Sequence, residues 1–213
     1  FIRRVKYPDQ KLTAEKAIQA AEHEAKSDTN GRSDFIALTY HVPVACAVAR
    51  LDENYFISTL KVHDGHADKI AAGFWGDYDR AIQEGMTCLV SFNGRTFDLP
   101  LLELMAFAHQ IVIPTGYWGK YGPRNRFGDG HIDLMDWFGN YGASKVVGGL
   151  NALAKMIGRP GKSGVNGKNV AALHEAGKRA EINAYCAQDV MDTYAVFLRT
   201  RVMVGSITAV QES

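Results

Sequence analysis

The sequence predicts an α/β fold, a central mixed β-sheet with helices packed on it, and three observations lead there. Short strand-like runs alternate with helical stretches along the whole chain. One run, "TCLVSF" at 87–92, is nearly continuous in apolar residues, the pattern of a strand buried on both faces. The longest helical stretch, roughly 178–203, closes the chain and is long enough to lie across a sheet.

Taken in order, residues 13–26 read as a solvated helix with Thr13 as its N-cap, followed by an exposed loop, "TNGRSD". "VACAVAR" (44–50) and "YFISTL" (55–60) are strand-like, and the short link "DEN" makes them an antiparallel hairpin. Residues 66–84 form a helix ended by Gly85, the buried strand 87–92 follows, and helical spacing returns from Asp98 to Gln110. Residues 114–130 are loop. "SKVVGGLNALAKMIG" is a helix weakened by Gly148 and Gly149, and "RPGKSGVNGKN" is a second loop before the closing helix. No repeat or linker interrupts this order, so residues 1–213 are expected to form one domain.

Composition excludes several classes. With 46% apolar residues the chain is an ordinary globular protein, and a net charge of +1 leaves any nucleic-acid partner to a local basic patch. Cys46, Cys88 and Cys186 are far apart and odd in number, which predicts reduced core thiols and a cytoplasmic protein. No run reaches membrane-spanning length, and no signal peptide is visible. "PGKSG" lacks the first glycine and the preceding strand of a phosphate loop, and "HDGH" has no further ligands for zinc.

The stretch "LVSFNGRTFDLPLL" places Asn93 and Asp98 where a buried strand gives way to a helix, the edge at which α/β sheets gather their sites. Asn93 is either a turn former or a substrate contact, and Asp98 either a helix cap or a metal ligand. In "YCAQDVMDTY", Tyr185 and Asp189 share one helix face, with Asp192 a turn further on as an outer acid or a solvated one. Y-x3-D alone is expected about 0.6 times in a chain of this composition and N-x3-[FY]-D roughly 0.05 times, so the first motif carries more weight. The loop "GYWGKYGPRNRFGDGH" interleaves Tyr117, Trp118, Tyr121 and Phe127 with Lys120, Arg124 and Arg126. That composition suits a grip on single strands, or a loop pinned by its own aromatic cluster. Asp133 and Asp136 in "HIDLMDWF" fix local structure, while His131 and Asp133 are also placed to face the cleft; Lys162 and Lys168 are either phosphate contacts or solvated.

On "NGRTFD" and "YCAQD", the chain resembles the DnaQ-like 3′-5′ exonucleases of the RNase H-like fold. It is most similar to the predicted exonucleases related to the proofreading domain of B-family DNA polymerases. Motif II of that family, N-x(2–3)-[FY]-D, is matched by Asn93, Phe97 and Asp98, and the tyrosine-type motif III by Tyr185 and Asp189. The resemblance covers roughly residues 35 to 205. It implies hydrolysis of phosphodiester bonds at single-stranded nucleic-acid ends, DNA in the first instance, with two Mg²⁺ or Mn²⁺ ions held by carboxylates. It further implies that Asp98 and Asp189 are metal ligands, that Tyr185 orients the attacking water and that Asn93 faces the terminal nucleotide. Tyr117, Trp118, Lys120, Tyr121, Arg124 and Arg126 are the expected nucleic-acid contacts; no polymerase or repair partner is identified by the residues.

One motif is absent. Motif I, D-x-E, supplies two of the family's four acids from the first strand, and no D-x-E occurs in the chain. Asp77-Tyr78-Asp79 is the nearest echo and reads as a solvated helix face. Because the chain begins at Phe1, the expectation is that the strand carrying motif I precedes residue 1; the alternative is a nucleic-acid-binding relative that has lost the motif and with it catalysis.

Overall fold

The computed structural model describes residues 1–86, 88–161 and 169–212. Where the sequence predicts one domain, the contacts divide the chain into two compact units, Phe1–Val42 and Pro43–Ser213. The first is helical: α1 (Ile2–Lys6), α2 (Ala14–Asp28) and a 3-10 turn at Leu38–Tyr40. Thr13 caps α2 as predicted, its side-chain oxygen accepting from the Lys16 amide. Ile2, Tyr7, Ala17 and Ala21 form this unit's own small core.

The second unit is mixed α/β. Strands β1 (Ala45–Leu51) and β2 (Ile57–Asp64) pair antiparallel, with a register shift between Arg50 and Leu51. The turn between them is built by Asp52, whose Oδ1 accepts from the amides of Asn54 and Phe56. Helix α3 (Ala67–Gln83) follows. Its buried residues Ile70, Ala71, Phe74, Trp75, Tyr78 and Ala81 repeat at helical spacing and form one stripe. Trp75 is 2% exposed and still satisfies its indole N–H on the Leu102 carbonyl.

Strand β3 (Leu89–Ser91) leads into α4 (Asp98–His109), and β3 pairs parallel with β4 (His131–Asp133). The segment between, predicted as loop, contains the short helix α5 (Thr115–Trp118). It folds back so tightly that a Cβ at Gly130 would stand 2.1 Å from the Tyr121 carbonyl oxygen. Helix α6 (Leu134–Phe138) continues from β4. Helix α7 (Gly149–Met156) starts where the sequence suggested weakness: Gly148 and Gly149 take positive φ values, so the pair begins the helix rather than interrupting it. Helices α8 (Val170–Glu175), α9 (Arg179–Met203) and α10 (Ala209–Glu212) complete the unit. Lys162 and Lys168 lie outside the described residues.

Two apolar clusters hold the layers. One combines α3 and α4 with Cys46 and Val48 of β1 and Leu89 of β3. The other combines Leu134, Leu150, Val196 and Phe197 with Leu51, Val90 and Ile132. Neighbouring Leu89 and Val90 therefore point to opposite faces, as strand geometry requires. The sequence predicts a single central mixed sheet. Among the described residues the ladders form two two-stranded sheets instead, β1–β2 and β3–β4, each in contact with the same two clusters. At three residues each, β3 and β4 make short ladders that reach only one neighbour.

Candidate active site

The turn after β3 explains the residues of "FNGRTFD". Asn93 has φ +62°, a left-handed conformation that asparagine tolerates better than most side chains. Its carbonyl and side-chain oxygens both accept from the Thr96 hydroxyl, the latter at 2.6 Å. Asn93 is thus engaged as a turn former, the local alternative to the nucleotide contact. At Gly94 a Cβ would stand 2.6 Å from Ser91 Oγ and 3.5 Å from Asp98 Oδ2, so no larger residue fits without displacing its neighbours. Asp98 is the first residue of α4 and not its cap, a place where the helix dipole favours a carboxylate.

The turn is gripped from β4. Asp133, 4% exposed, accepts from the amides of Asn93 (2.8 Å) and Arg95 (2.9 Å), and from that of Met135 (3.0 Å), which caps α6. Arg95 ties the same turn outward, donating to the carbonyls of Pro123 and His131. His131 shares a 2.8 Å hydrogen bond with Ser91; burial and the Arg95 charge push its ring down to about 4, so it is neutral at physiological pH.

Helix α9 brings the second motif. It is fixed at its start by Asn183, which donates to Asp64 of β2, and further along by the Tyr194 hydroxyl on the Tyr55 carbonyl. Tyr185 and Asp189 lie one turn apart on it, both half-buried. The two motifs meet electrostatically at Asp98. That carboxyl is reached by solvent but sits in a recess with protein packed round it. The crowding pushes it up to about 6 against the pull of its own amide, and the charges of Asp133 and Asp189 push the same way. Cys46 and Cys186 stand near these acids. Burial pushes both thiols up, Cys186 to about 11, which keeps them protonated and unreactive. All three cysteines are free thiols.

Other expectations change. Asp192 is neither solvated nor an outer acid of the recess: it is 1% exposed, pairs with Arg159 at 2.8 Å and accepts from Gln188. Asp77, read as part of a solvated face, is largely enclosed and bound by Lys61, His63 and Arg80. In the aromatic loop Tyr117 is 1% exposed, packed edge-on against Trp75 and Tyr78 with its hydroxyl on Glu103, so it has no face to offer a base. Arg124 lies over Trp118 and pairs with Glu103, and Arg126 pairs with Asp136. Tyr117, Arg124 and Arg126 are thus engaged with neighbouring side chains. Trp118 and Tyr121, with Lys120 near the Tyr121 ring, remain exposed.

The donor chemistry near Asp98 is of the kind a hard cation takes, since the acids that influence one another there offer carboxylate oxygens. The donor count is incomplete: among the described residues no three His, Cys, Asp or Glu side chains converge closely enough to hold a metal ion. Nor, among them, is any helix long and apolar enough to cross a membrane. No curated protein and no solved structure matches the chain significantly. Over residues 33–213, however, it matches the predicted 3′-5′ exonucleases related to the exonuclease domain of PolB, and it belongs to that family.

Proposed function

We propose that this protein is a metal-dependent 3′-5′ exonuclease of the RNase H-like fold, acting on single-stranded nucleic-acid ends and first of all on DNA. The observation that carries the reading is the match of residues 33–213 to an exonuclease-like family, and the charge of Asp189 felt at Asp98, a smaller influence there than burial, joins the acids of two distant motifs in agreement with it. Like charges held together in this way are costly without a counter-ion.

In this reading Asp98 and Asp189 hold divalent cations, Mg²⁺ or Mn²⁺, which when bound would lower the pKa of water and neutralise the phosphate. Tyr185, one turn from Asp189, orients the attacking water through its hydroxyl; a phenol with an ordinary pKa of about 10 is better suited to positioning than to taking the proton. Trp118 and Tyr121 offer stacking faces, and Lys120 offers a charge for the backbone. The remaining acids come from a D-x-E strand outside residues 1–213. What supports this is the strand pairing: among the described residues β1 is paired only with β2 and β3 only with β4, over shared clusters. A strand joining the two pairs would make one mixed sheet and bring its acids towards Asp98.

The incomplete donor set favours one second reading, a nucleic-acid-binding relative without catalysis. The test is release of nucleotides from a 5′-labelled single-stranded oligonucleotide by the complete gene product, with Mn²⁺, with EDTA and with Asp189→Ala. The exonuclease gives a ladder shortening from the 3′ end that vanishes in both controls. An oligonucleotide bound but intact in every lane establishes the binding protein.

A further inference from the structure

Both oxygens of the Asp133 carboxylate are engaged by backbone amides. Oδ1 accepts from Asn93 and Met135, Oδ2 from Arg95, and the side chain is almost sealed from solvent. A residue in the left-handed region followed by right-handed geometry turns alternate amides toward one point, a concave anion site made of backbone. In this turn the amides of residues 93 and 95 converge in that way, and the anion they take belongs to the protein itself.

The consequence runs to Asp98 through the backbone. Gly94 lies between the two amides that Asp133 holds, and the space where its Cβ would stand is closed by Ser91 Oγ on one side and by Asp98 Oδ2 on the other. The Asn93 carbonyl also accepts from the Phe97 amide and the Gly94 carbonyl from the Leu99 amide, so moving the 93–95 peptide planes moves the residues on either side of Asp98. Asp133 also caps α6, so the same group fixes the exit of β4 and the exit of β3.

We propose that Asp133 is the positioning residue of the active site: it sets the strand-to-helix turn that places Asp98, and it ligates neither metal nor substrate. The proposal rests on the exonuclease reading for its functional half, but its structural half stands alone. Arg95 provides an internal control, because its backbone amide serves Asp133 while its guanidinium serves a different purpose, tying the turn to Pro123 and His131.

Asp133→Asn tests it. An amide has one accepting oxygen, so a nitrogen must face at least one of the three N–H groups. With the oxygen kept at the Oδ1 position, the Arg95 amide is released. Backbone exchange followed by NMR should then show the Arg95 amide exchanging about tenfold faster, with Leu89 to Ser91 unchanged. In the oligonucleotide assay, kcat should fall about a hundredfold, the cost of a misplacement near 1 Å, with KM within about threefold of wild type. Excess Mn²⁺ should not restore it. Arg95→Met should leave the backbone amide at position 95 protected.

Unchanged exchange in Asp133→Asn overturns the turn-setting role. Released amides with full activity overturn the link to Asp98, and recovery at high Mn²⁺ makes Asp133 a ligand instead. If the wild-type protein releases no nucleotide, the exonuclease reading fails, while the exchange of Arg95 still decides whether Asp133 sets the turn.

Discussion

Asp77 on α3 sits among cations: Lys61 and His63 reach it from β2, and Arg80 from one turn along its own helix. Burial alone would push its carboxyl up, but the hydrogen bonds from Lys61, Arg80 and His63 outweigh burial and hold it at about 2. Asp98 at the start of α4 stands at about 6, pushed up first by the protein packed round it and further by the charges of Asp133 and Asp189. Both aspartates belong to the same α/β unit. Their partners separate an acid whose charge is used up in holding the fold from one whose charge is left for a ligand.

The sharpest way to break this contrast is to delete the acids one at a time. On the proposed exonuclease reading, in which Asp189 is a metal ligand, Asp189→Ala should reduce nucleotide release by about a thousandfold or more, while the melting temperature stays near that of wild type. Asp77→Ala should do the reverse. Its enclosed carboxyl contributes about 2 kcal/mol at neutral pH, so denaturant midpoints should drop while activity per folded molecule stays within about twofold.

The pH dependence follows from the sign of that shift. Asp77 is depressed in the folded state, so its contribution is present above the unfolded pKa near 4 and lost as pH falls toward 2. Acid titration of stability should therefore be shallower in Asp77→Asn than in wild type between about pH 4 and 2. An identical slope in the two proteins would remove Asp77 from the account.

A milder comparison lies between adjacent residues of the aromatic loop. Trp118→Ala should weaken binding of a single-stranded oligonucleotide by about tenfold, the loss of one stacking face, with little effect on folding. Tyr117→Phe should leave that binding unchanged and cost about 1 kcal/mol of stability, because it strips the hydroxyl that donates to Glu103. Fluorescence anisotropy and urea denaturation separate the two.

The same pair shows where the sequence stops being legible. Tyr117 and Trp118 are neighbours of similar character in one loop, and only the direction taken by the short helix α5 decides that one is core and the other surface. The hairpin, the helix α3 and the turn at Asn93 were readable, because each is set by residues within a few positions of one another. The grip of Asp133 on that turn was not. It depends on a parallel pairing of two three-residue strands some 40 residues apart, too short to leave a period in the sequence. Asp192 was misjudged for the same reason: its partner, Arg159, lies 33 residues away. The acid recess was half readable, since motif spacing identified Asp98 and Asp189, whereas the opposite fates of Asp77 and Asp98 come from tertiary neighbours.

The burial of Trp75 and the exposure of Trp118 also give opposite optical signals to two of the three indoles, the half-buried Trp137 being the third. Trp75 is sealed in the α3–α4 cluster, so its indole should emit at short wavelength, be shielded from aqueous quenchers and respond when that cluster opens. Trp118 is half in solvent beneath the Arg124 guanidinium, and a quencher should find it at once. A base stacked on Trp118 would extinguish that second component and leave the first untouched, so the natural fluorescence of the chain can follow binding and unfolding in the same cuvette.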